Sequence, residues 1–420
     1  MLSAVVAVML AAVNLPAADW PTFRGSDRSA VSPETGLLQE WPANGPPLLW
    51  ESQGAGRGYA DLTIAGDYIY TLGDAPSVAE DKDEYLLCFA RQDGKFVWKT
   101  KTGQPWTSGS ATWQSSRGTP SVAGDTVCVI TAFGELVVCE ASTGVERWRK
   151  NLKTDFGGKK ADGWGYSESP LIDGNQIVVT PGGTQTTMVA LNIQSGEVIW
   201  KSLREGDRGA GHSSIVISEI GGTKIYVQMT GSGAMGVRAK DGMLLWKHEL
   251  EKTTAVIPTP MVRGDLVFFA VGYKRGGALL KQIPGEEGKV SIEELYPVNN
   301  TLANKHGGMV LVGESVYGDS DDQGIPFSAD LMTGRNNWKS RGSGRGSASV
   351  AAADGRVYFH FADGTMVLVE ANPAAYTEKG AFKVPGSGER PSWSHPVIVD
   401  GKLYLREQDK ILCYNIRAGQ

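Results

Sequence analysis

The sequence predicts an all-β fold: an eight-bladed β-propeller with four-stranded antiparallel blades, its ring closed by the N-terminal strand. Three observations carry this. A Gly-x-x-x-Trp motif recurs five times, ending at Trp98, Trp148, Trp200, Trp246 and Trp338. The stretches between these tryptophans are short runs of β-branched residues broken by turn glycines, with no helical period. A tryptophan-bearing segment around Trp50 precedes the first unit and has nothing local to pair with.

Trp98, Trp148, Trp200 and Trp246 are separated by 50, 52 and 46 residues, and Trp338 follows after 92, twice 46. Trp50 stands 48 residues before Trp98 and joins the series. A period of this length marks a repeat architecture, and four short strands per repeat make a propeller blade. Each unit runs from a segment such as "TPSVAGD" through a turn to "TVCVITA", then through a second turn to "ELVVCEA", and closes on the tryptophan strand. Eight first strands fall near residues 61, 119, 169, 213, 259, 307, 347 and 395. Unit five is degenerate, with Gly288 followed by Ile292 where tryptophan is expected, and unit seven reads "ANPAAYTEKGAF" instead of the motif. Unit eight stops one strand short at the C-terminus, so the strand at 45–53 is expected to complete it. That closure leaves no open sheet edge in the ring.

The motif residues have physical reasons. Glycine permits the positive φ of a tight hairpin. Tryptophan offers a flat apolar surface to the neighbouring blade while its indole N–H seeks an acceptor. Trp50, Trp98, Trp148, Trp200, Trp246 and Trp338 are therefore read as structural docking residues.

Composition narrows the function classes. With 54 glycines, 20 prolines and a net charge of −5, the chain is rich in turns and lacks the basic face that nucleic acid requires. Residues 1–18 read as a signal peptide: an apolar run, Met1–Leu15, is closed by Pro16 and followed by a small-residue cleavage site near Ala18/Asp19. No Lys or Arg precedes Arg24, so either the true start lies upstream or the export signal is atypical. The run is short for a membrane span. The remaining divisions are an N-terminal extension at 19–44 and the propeller at 45–420. No cysteine precedes Cys88, so no lipid-attachment cysteine follows the signal segment. Cys88 and Cys413 occupy one small buried slot of the repeat, each six residues before a glycine. Cys128 and Cys139 flank "VITAFGELVV". A turn at Phe133-Gly134 would set them opposite each other, about 5.5 Å apart between Cα atoms, as a disulfide or as two buried thiols.

The repeat resembles the tryptophan-docking motif of quinoprotein-type, pyrroloquinoline quinone (PQQ)-like propellers, roughly Ala-x-Asp-x-x-Thr-Gly-x-x-x-Trp. Unit six matches as "SADLMTGRNNW", with Ser328 for Ala and then Asp330, Thr333, Gly334 and Trp338; unit three matches as "ALNIQSGEVIW". The segments "ADWPTFRG", "HGGMVLVGESVYGDSDDQG" and "WSHPVIVDGKLYLREQDKILCY" also look like a bacterial group of exported PQQ-like propellers. Members of that group are often labelled by analogy with the outer-membrane assembly factor BamB. The resemblance implies an exported propeller and does not settle its activity. With the repeat intact and catalytic equipment absent, the chain is expected to be a soluble, monomeric, periplasmic or extracellular scaffold that binds a protein partner or a small polar or anionic ligand, in envelope assembly. The alternative the resemblance implies is a PQQ-dependent dehydrogenase with calcium. Such an enzyme would carry a vicinal Cys-Cys pair, Ca²⁺ ligands and an Asp base over the channel. This chain has no adjacent cysteines, and no cofactor is assigned.

Function must be sought in sites rather than in the fold. Aligning the residues just before each first strand gives Tyr59 and Asp61, Arg117, Glu168, His212, Lys305 and His306, Arg345, then Trp393 and His395. Three of the five histidines share this one register. It reads either as solvated turn residues or as a titratable ring around a channel mouth, a default ligand-site candidate. The histidines sit in units four, six and eight, too far apart for one Zn–N distance of about 2 Å. A larger ligand spanning Arg117, Lys305 and Arg345 suits the spacing better, and no metal site is assigned. "GSGAMG" fits Gly-x-Gly-x-x-Gly but lacks the helix a dinucleotide needs. "DSDDQG" reads as a solvated acidic turn, because Pro326 and the strand context break a helix-loop-helix calcium site. Neither Gly-x-Ser-x-Gly nor His-Glu-x-x-His occurs.

Overall fold

The computed structural model describes residues 19–75 and 82–419. The signal segment at 1–18 lies outside them. Among the described residues, strands form eight sheets arranged as the blades of a propeller. Blade one runs from Thr63–Ala65 to Phe96–Gly103, blade two from Ser121–Ala123 to Glu146–Asn151, and blade three from Leu171–Asp173 to Val198–Ser202. Blade four spans Val216–Ile220 to Leu244–Lys247, blade five Met261–Arg263 to Val290–Asn299, and blade six Met309–Val312 to Asn336–Lys339. Blade seven runs from Ala348–Ala353 to Glu378–Lys383. Blade eight takes Val397–Val399, Lys402–Glu407 and Lys410–Asn415 from the C-terminus and Leu48–Gln53 from the N-terminus, the expected closure. Its register sets Trp50 opposite Cys413.

The core lies between neighbouring sheets. Leu136 and Val138 of blade two, for example, pack with Ile177 and Val189 of blade three. At each joint the repeat motif does two things at once. The tryptophan sits opposite a small or slim residue of its own blade: Cys413 for Trp50, Cys88 for Trp98, Val138 for Trp148, Ala190 for Trp200, Gly236 for Trp246 and Ser328 for Trp338. For Trp50, Trp98, Trp148 and Trp200 the ring then lies on the motif glycine of the next blade. A Cβ on Gly144 would stand 2.4 Å from the Trp98 ring, and one on Gly242 would stand 2.5 Å from Trp200. The indole N–H donates to a carbonyl three residues before that glycine, from Trp98 to Ala141 (3.2 Å), Trp148 to Ile193 (2.9 Å) and Trp200 to Ala239 (3.1 Å). Glycine is thus needed for close approach as well as for the positive φ of the turn.

The two degenerate units are repaired by residues the repeat pattern did not single out. In blade five the tryptophan position is taken by Tyr296, not Ile292. Tyr296 pairs with Leu279 beside the same kind of register shift, lies against Gly334, and donates its hydroxyl to Leu331 O at 3.0 Å. The incoming side of that blade is not repaired: Trp246 Nε1 is buried without an acceptor. In blade seven Gly380 leaves the space open, and Trp41 fills it from the N-terminal extension. A Cβ on Gly380 would meet the Trp41 Cβ at 2.6 Å. The Trp41 N–H donates to Lys379 O at 2.7 Å, and its ring packs on Phe382 and Tyr358 with centroids 5.3 and 5.7 Å away.

The 19–44 segment is therefore an integral part of the ring. Trp20 bridges to Ile64 of blade one, and Pro21 accepts the Val122 N–H of blade two. Arg24 and Arg28, both 2% exposed, enter the axial channel. Arg24 donates to Gly307 O and Met309 O of blade six; Arg28 donates to Ser169 O and Pro170 O beside blade three and to Ile215 O beside blade four. Val31–Ser32 then adds a parallel fifth strand to the inner edge of blade seven.

Two local expectations change. Cys128 pairs with Val138 and Cys139 with Val127, a register one residue away from the one expected. A one-residue slip turns side chains to opposite faces. Cys128 thus packs toward blade three and Cys139 toward blade one, and all four cysteines are buried free thiols. The "DSDDQG" turn is not simply solvated. Asp319 is fully buried and accepts from Asn304 Nδ2 at 3.0 Å, while Asp321 accepts the N–H groups of Tyr273 and Lys274. "GSGAMG" leads into the strand Gly233–Arg238, as expected.

Trp41→Ala should destabilise the ring by about 3–5 kcal/mol, the range for truncating a buried large aromatic. Urea unfolding checks this against Trp200→Ala, and a cost below about 1 kcal/mol would show that Trp41 is not a docking residue.

Candidate functional site

The channel segment converts a through-hole into a blind cavity. Phe23, inside the turn Thr22–Gly25 of that segment, forms its floor, and the loops leading into the inner strands form its walls. The cavity holds about 980 Å³ of atom-free space, open solvent at its mouth included. Of the ten residues in the expected ring, Tyr59, Asp61, Arg117, His212, His306, Trp393 and His395 line it. Their common register places them there, because each precedes an inner strand by a few residues.

The other three do not line it. Glu168 is buried behind the wall, where its carboxylate accepts from Thr180 N, Thr180 Oγ1 and Gln228 Nε2. Lys305 is 8% exposed and holds its ammonium 4.9 Å from the Tyr273 ring and 5.5 Å from the Trp113 ring. Arg345 is exposed and donates to Gly342 O and Gly344 O of its own loop. An anion spanning Arg117, Lys305 and Arg345 has no common face to occupy. Arg117 itself is turned to structural work: it donates to Trp164 O at 2.5 Å, to Ser115 O at 3.3 Å and to Trp113 O. Its guanidinium clamps the two loops that carry the cavity's aromatic walls.

Sequence reasoning missed those walls. Trp113 stands on a short 3₁₀ turn, Ala111–Trp113, inserted between blades one and two, and Trp164 on the loop before blade three. Neither belongs to the repeat, and the repeat pattern directs attention away from them. Trp113 stacks on Trp393 with centroids 5.3 Å apart, Trp393 stacks on His306 at 4.3 Å, and Tyr59 leans on Trp393 at 4.9 Å. Arg390 donates to Gln114 O and Ser115 Oγ and lies over the Tyr59 ring, pinning the inserted loop across the mouth.

The three histidines are engaged separately. His395 accepts nothing from the other two: its Nδ1 stands 3.4 Å from Asp61 Oδ2, its backbone N–H donates to Asp61 Oδ1, and its ring meets Phe23 edge-on. His306 Nδ1 lies 2.6 Å from Ser347 Oγ. His212 lies between Ser167 Oγ at 2.7 Å and Asp162 Oδ2 at 2.8 Å. Burial, helped by the Lys160 charge, lowers the His212 pKa to about 4, only partly offset by Asp162, so the ring is neutral at pH 7. Burial alone would raise Asp162, but the His212 hydrogen bond and the His212 and Lys160 charges bring it down to about 2. Among the described residues, no group of three or more His, Cys, Asp or Glu side chains could hold a metal ion.

A second layer of carboxyls supports the lining. Glu84 accepts from Ser116, next to Arg117; Glu168 follows Ser167; Glu407 accepts from Ser392, next to Trp393. Burial raises all three to about 7 against the pull of their hydrogen bonds.

Residues 82–340, more than half of the chain, match the family model described as outer membrane protein assembly factor BamB. No curated protein matches the sequence. Among solved structures, BamB from Moraxella catarrhalis is similar at a TM-score of 0.59 and 15% identity, covering 88% of this chain and 99% of that one. Quinohemoprotein alcohol dehydrogenase from Comamonas testosteroni is similar at a TM-score of 0.64 and 13% identity, covering 97% of this chain and 82% of that one. At such identities the likeness shows the fold alone.

The buried carboxyls predict a pH dependence of stability. The folded chain keeps protons on Glu84, Glu168 and Glu407 that an unfolded chain has released, so their contribution is present below the ordinary carboxylate range and lost as pH rises through about 7. His212 and His360, lowered to about 4, act in the opposite sense, but only up to their unfolded value near 6.5. Between about pH 6.5 and 7.5 the carboxyls dominate, each near half of the full ~1.4 kcal/mol per pH unit at its folded value, and above that the dependence flattens because both states are ionised. Thermal melts should fall across that window, less steeply in Glu84→Gln and Glu407→Gln; a flat or rising profile contradicts the assignment.

Proposed function

The chain belongs to the family of the outer membrane protein assembly factor BamB, and on that premise we propose that it is an exported binding module whose blind cavity receives a small, flat, partly aromatic ligand. One observation carries the reading. The cavity is floored by Phe23 of the channel segment and walled by Trp113, Trp164 and Trp393, with Asp61, Arg117, Ser167 and three histidines set among them. Concave, mostly apolar sites with a few convergent polar side chains are what small-molecule recognition requires. Export, to the periplasm or beyond, is supported by the apolar run Met1–Leu15, and among the described residues no helix is long and apolar enough to cross a membrane. The outer faces of the blades remain available to a protein partner, the role the family description suggests, in envelope assembly.

The second reading, a PQQ-dependent dehydrogenase, is favoured by the fold it shares with the Comamonas enzyme. The stacked tryptophans suit a flat quinone. The calcium that such chemistry uses is less well served, because among the described residues Asp61 is the only carboxylate in the lining and it already faces His395. If PQQ bound, it would supply the electron-accepting chemistry, and the Trp113 and Trp393 faces would hold its plane.

Titration with 1-anilinonaphthalene-8-sulfonate, an aromatic anion with a planar naphthalene face, tests the binding reading. Saturable one-to-one binding with quenched tryptophan fluorescence is expected, weakened about tenfold or more in His306→Ala with His395→Ala, a loss of at least about 1.4 kcal/mol. The double variant should keep a melting temperature near that of the parent. Absence of saturable binding removes the reading, and alcohol-dependent dye reduction with PQQ and Ca²⁺ establishes the dehydrogenase instead.

A further inference from the structure

Ser167, His212 and Asp162 form a continuous hydrogen-bonded chain that opens into the cavity. Ser167 and His212 both line it, while Asp162 stands behind them with its side chain 5% exposed. The three come from two different approaches to the ring. Asp162 and Ser167 lie on the loop before blade three, and His212 lies just before blade four. Backbone groups hold Asp162 and His212 in place. Asp162 Oδ1 accepts the Trp164 N–H at 3.0 Å, and the His212 N–H donates to Val256 O at 2.6 Å.

The chemistry of the chain has a direction. An ionised carboxylate only accepts, so Asp162 takes the proton-bearing Nε2 of His212. Nδ1 then presents its lone pair to the Ser167 hydroxyl, which donates to it across 2.7 Å. The other serines around this loop donate elsewhere: Ser169 Oγ to Thr119 O at 2.7 Å, and Ser213 Oγ to Gln228 Oε1 at 2.7 Å. A hydroxyl held against a neutral imidazole, itself oriented by a carboxylate, is the arrangement that activates a nucleophile, recognised by geometry and roles rather than by sequence motif. That is why the absence of Gly-x-Ser-x-Gly did not exclude it.

We infer that Ser167 is a nucleophile, with His212 as its general base and Asp162 as the residue that positions His212, and that the cavity hydrolyses carboxylic esters whose acyl group is aromatic or branched and apolar. Ser167 Oγ attacks the ester carbonyl carbon as its proton passes to His212 Nδ1. The carbon–oxygen bond to the alcohol then breaks, and His212 returns the proton to the departing alkoxide. Water attacks the resulting acyl-serine, giving its proton to His212, which hands it back to Ser167 Oγ as the carboxylic acid leaves. One ester and one water become one acid and one alcohol, with no change of oxidation state. The acyl group rests on Trp113, Trp164 and Ile257, which share the cavity with Ser167. This chemistry goes beyond the binding reading and uses none of its ligands, so either can fail without the other.

A fluorophosphonate probe reads the inference on the full chain. Ser167 Oγ forms a bond to phosphorus, fluoride leaves, and the adduct is located by mass spectrometry of proteolytic peptides. One adduct per chain at Ser167 is expected. Ser167→Ala should abolish it, and His212→Gln should slow it by about 100-fold or more, the scale of general-base assistance. Asp162→Asn, a positioning variant, should slow labelling and leave the melting temperature close to the parent's. In the parent the labelling rate should be level from pH 6 to 9 and fall as pH drops toward about 4, where His212 takes up a proton. Hydrolysis of p-nitrophenyl benzoate should follow the same order across the variants. No adduct on the folded parent, an adduct at Ser347 instead, or an unchanged rate in His212→Gln overturns the inference.

Discussion

Two buried arginines hold the centre of this molecule. A ring of eight sheets leaves an axial hole lined by the carbonyls at the ends of its inner strands, and buried carbonyls need donors. Arg24 and Arg28 supply them from one short turn of chain, reaching carbonyls at blades three, four and six. Burial lowers both guanidinium pKa values to about 10, so both keep their charge at neutral pH. The same turn carries Phe23 to the cavity floor, so the site exists because the channel is filled from within. Beyond it the chain goes on to edge blade seven, to fill that blade's missing joint with Trp41, and to close blade eight with the strand holding Trp50. Plug, repair and latch are one continuous segment.

The periodic part of this design was legible in the sequence because its cause is periodic. Each joint needs a flat ring, a glycine beneath it and a small residue opposite, and the chain repeats that requirement roughly every fifty residues. The repairs were not legible for the same reason. Tyr296 lies four residues past the position the motif predicts, displaced by the long hairpin of blade five, and Trp41 is separated by hundreds of residues from Gly380, whose gap it fills. The cysteine register failed by a single residue, since a turn read one place off reverses every side chain after it.

The candidate site shows the same division. The register argument gathered seven of the lining residues because position before an inner strand is a topological fact. It misplaced Arg345, whose loop folds back on itself, and Glu168, whose carboxyl turns behind the wall to Thr180 and Gln228. It passed over Asp162, Ser167, Trp113 and Trp164, which lie on loops of no fixed length or pattern. Regular residues hold the ring shut, and the irregular ones between them make the surface at which chemistry can occur. Even the cations in that surface are largely spent on holding its aromatic walls in place.

The central claim is that residues 20–32 form the floor of the site as part of the folded core. Native-state amide hydrogen exchange reads this directly, because it reports local opening segment by segment. The amides of Trp20, bonded to Ile64 O at 2.8 Å, and of Ala30, bonded to Arg24 O at 2.8 Å, should exchange as slowly as the Tyr70 amide, which lies in the second strand of blade one between Thr63 and Cys88. Exchange of Trp20 and Ala30 at unstructured rates, while Tyr70 stays protected, would mean an open channel and no floor, and would contradict the account.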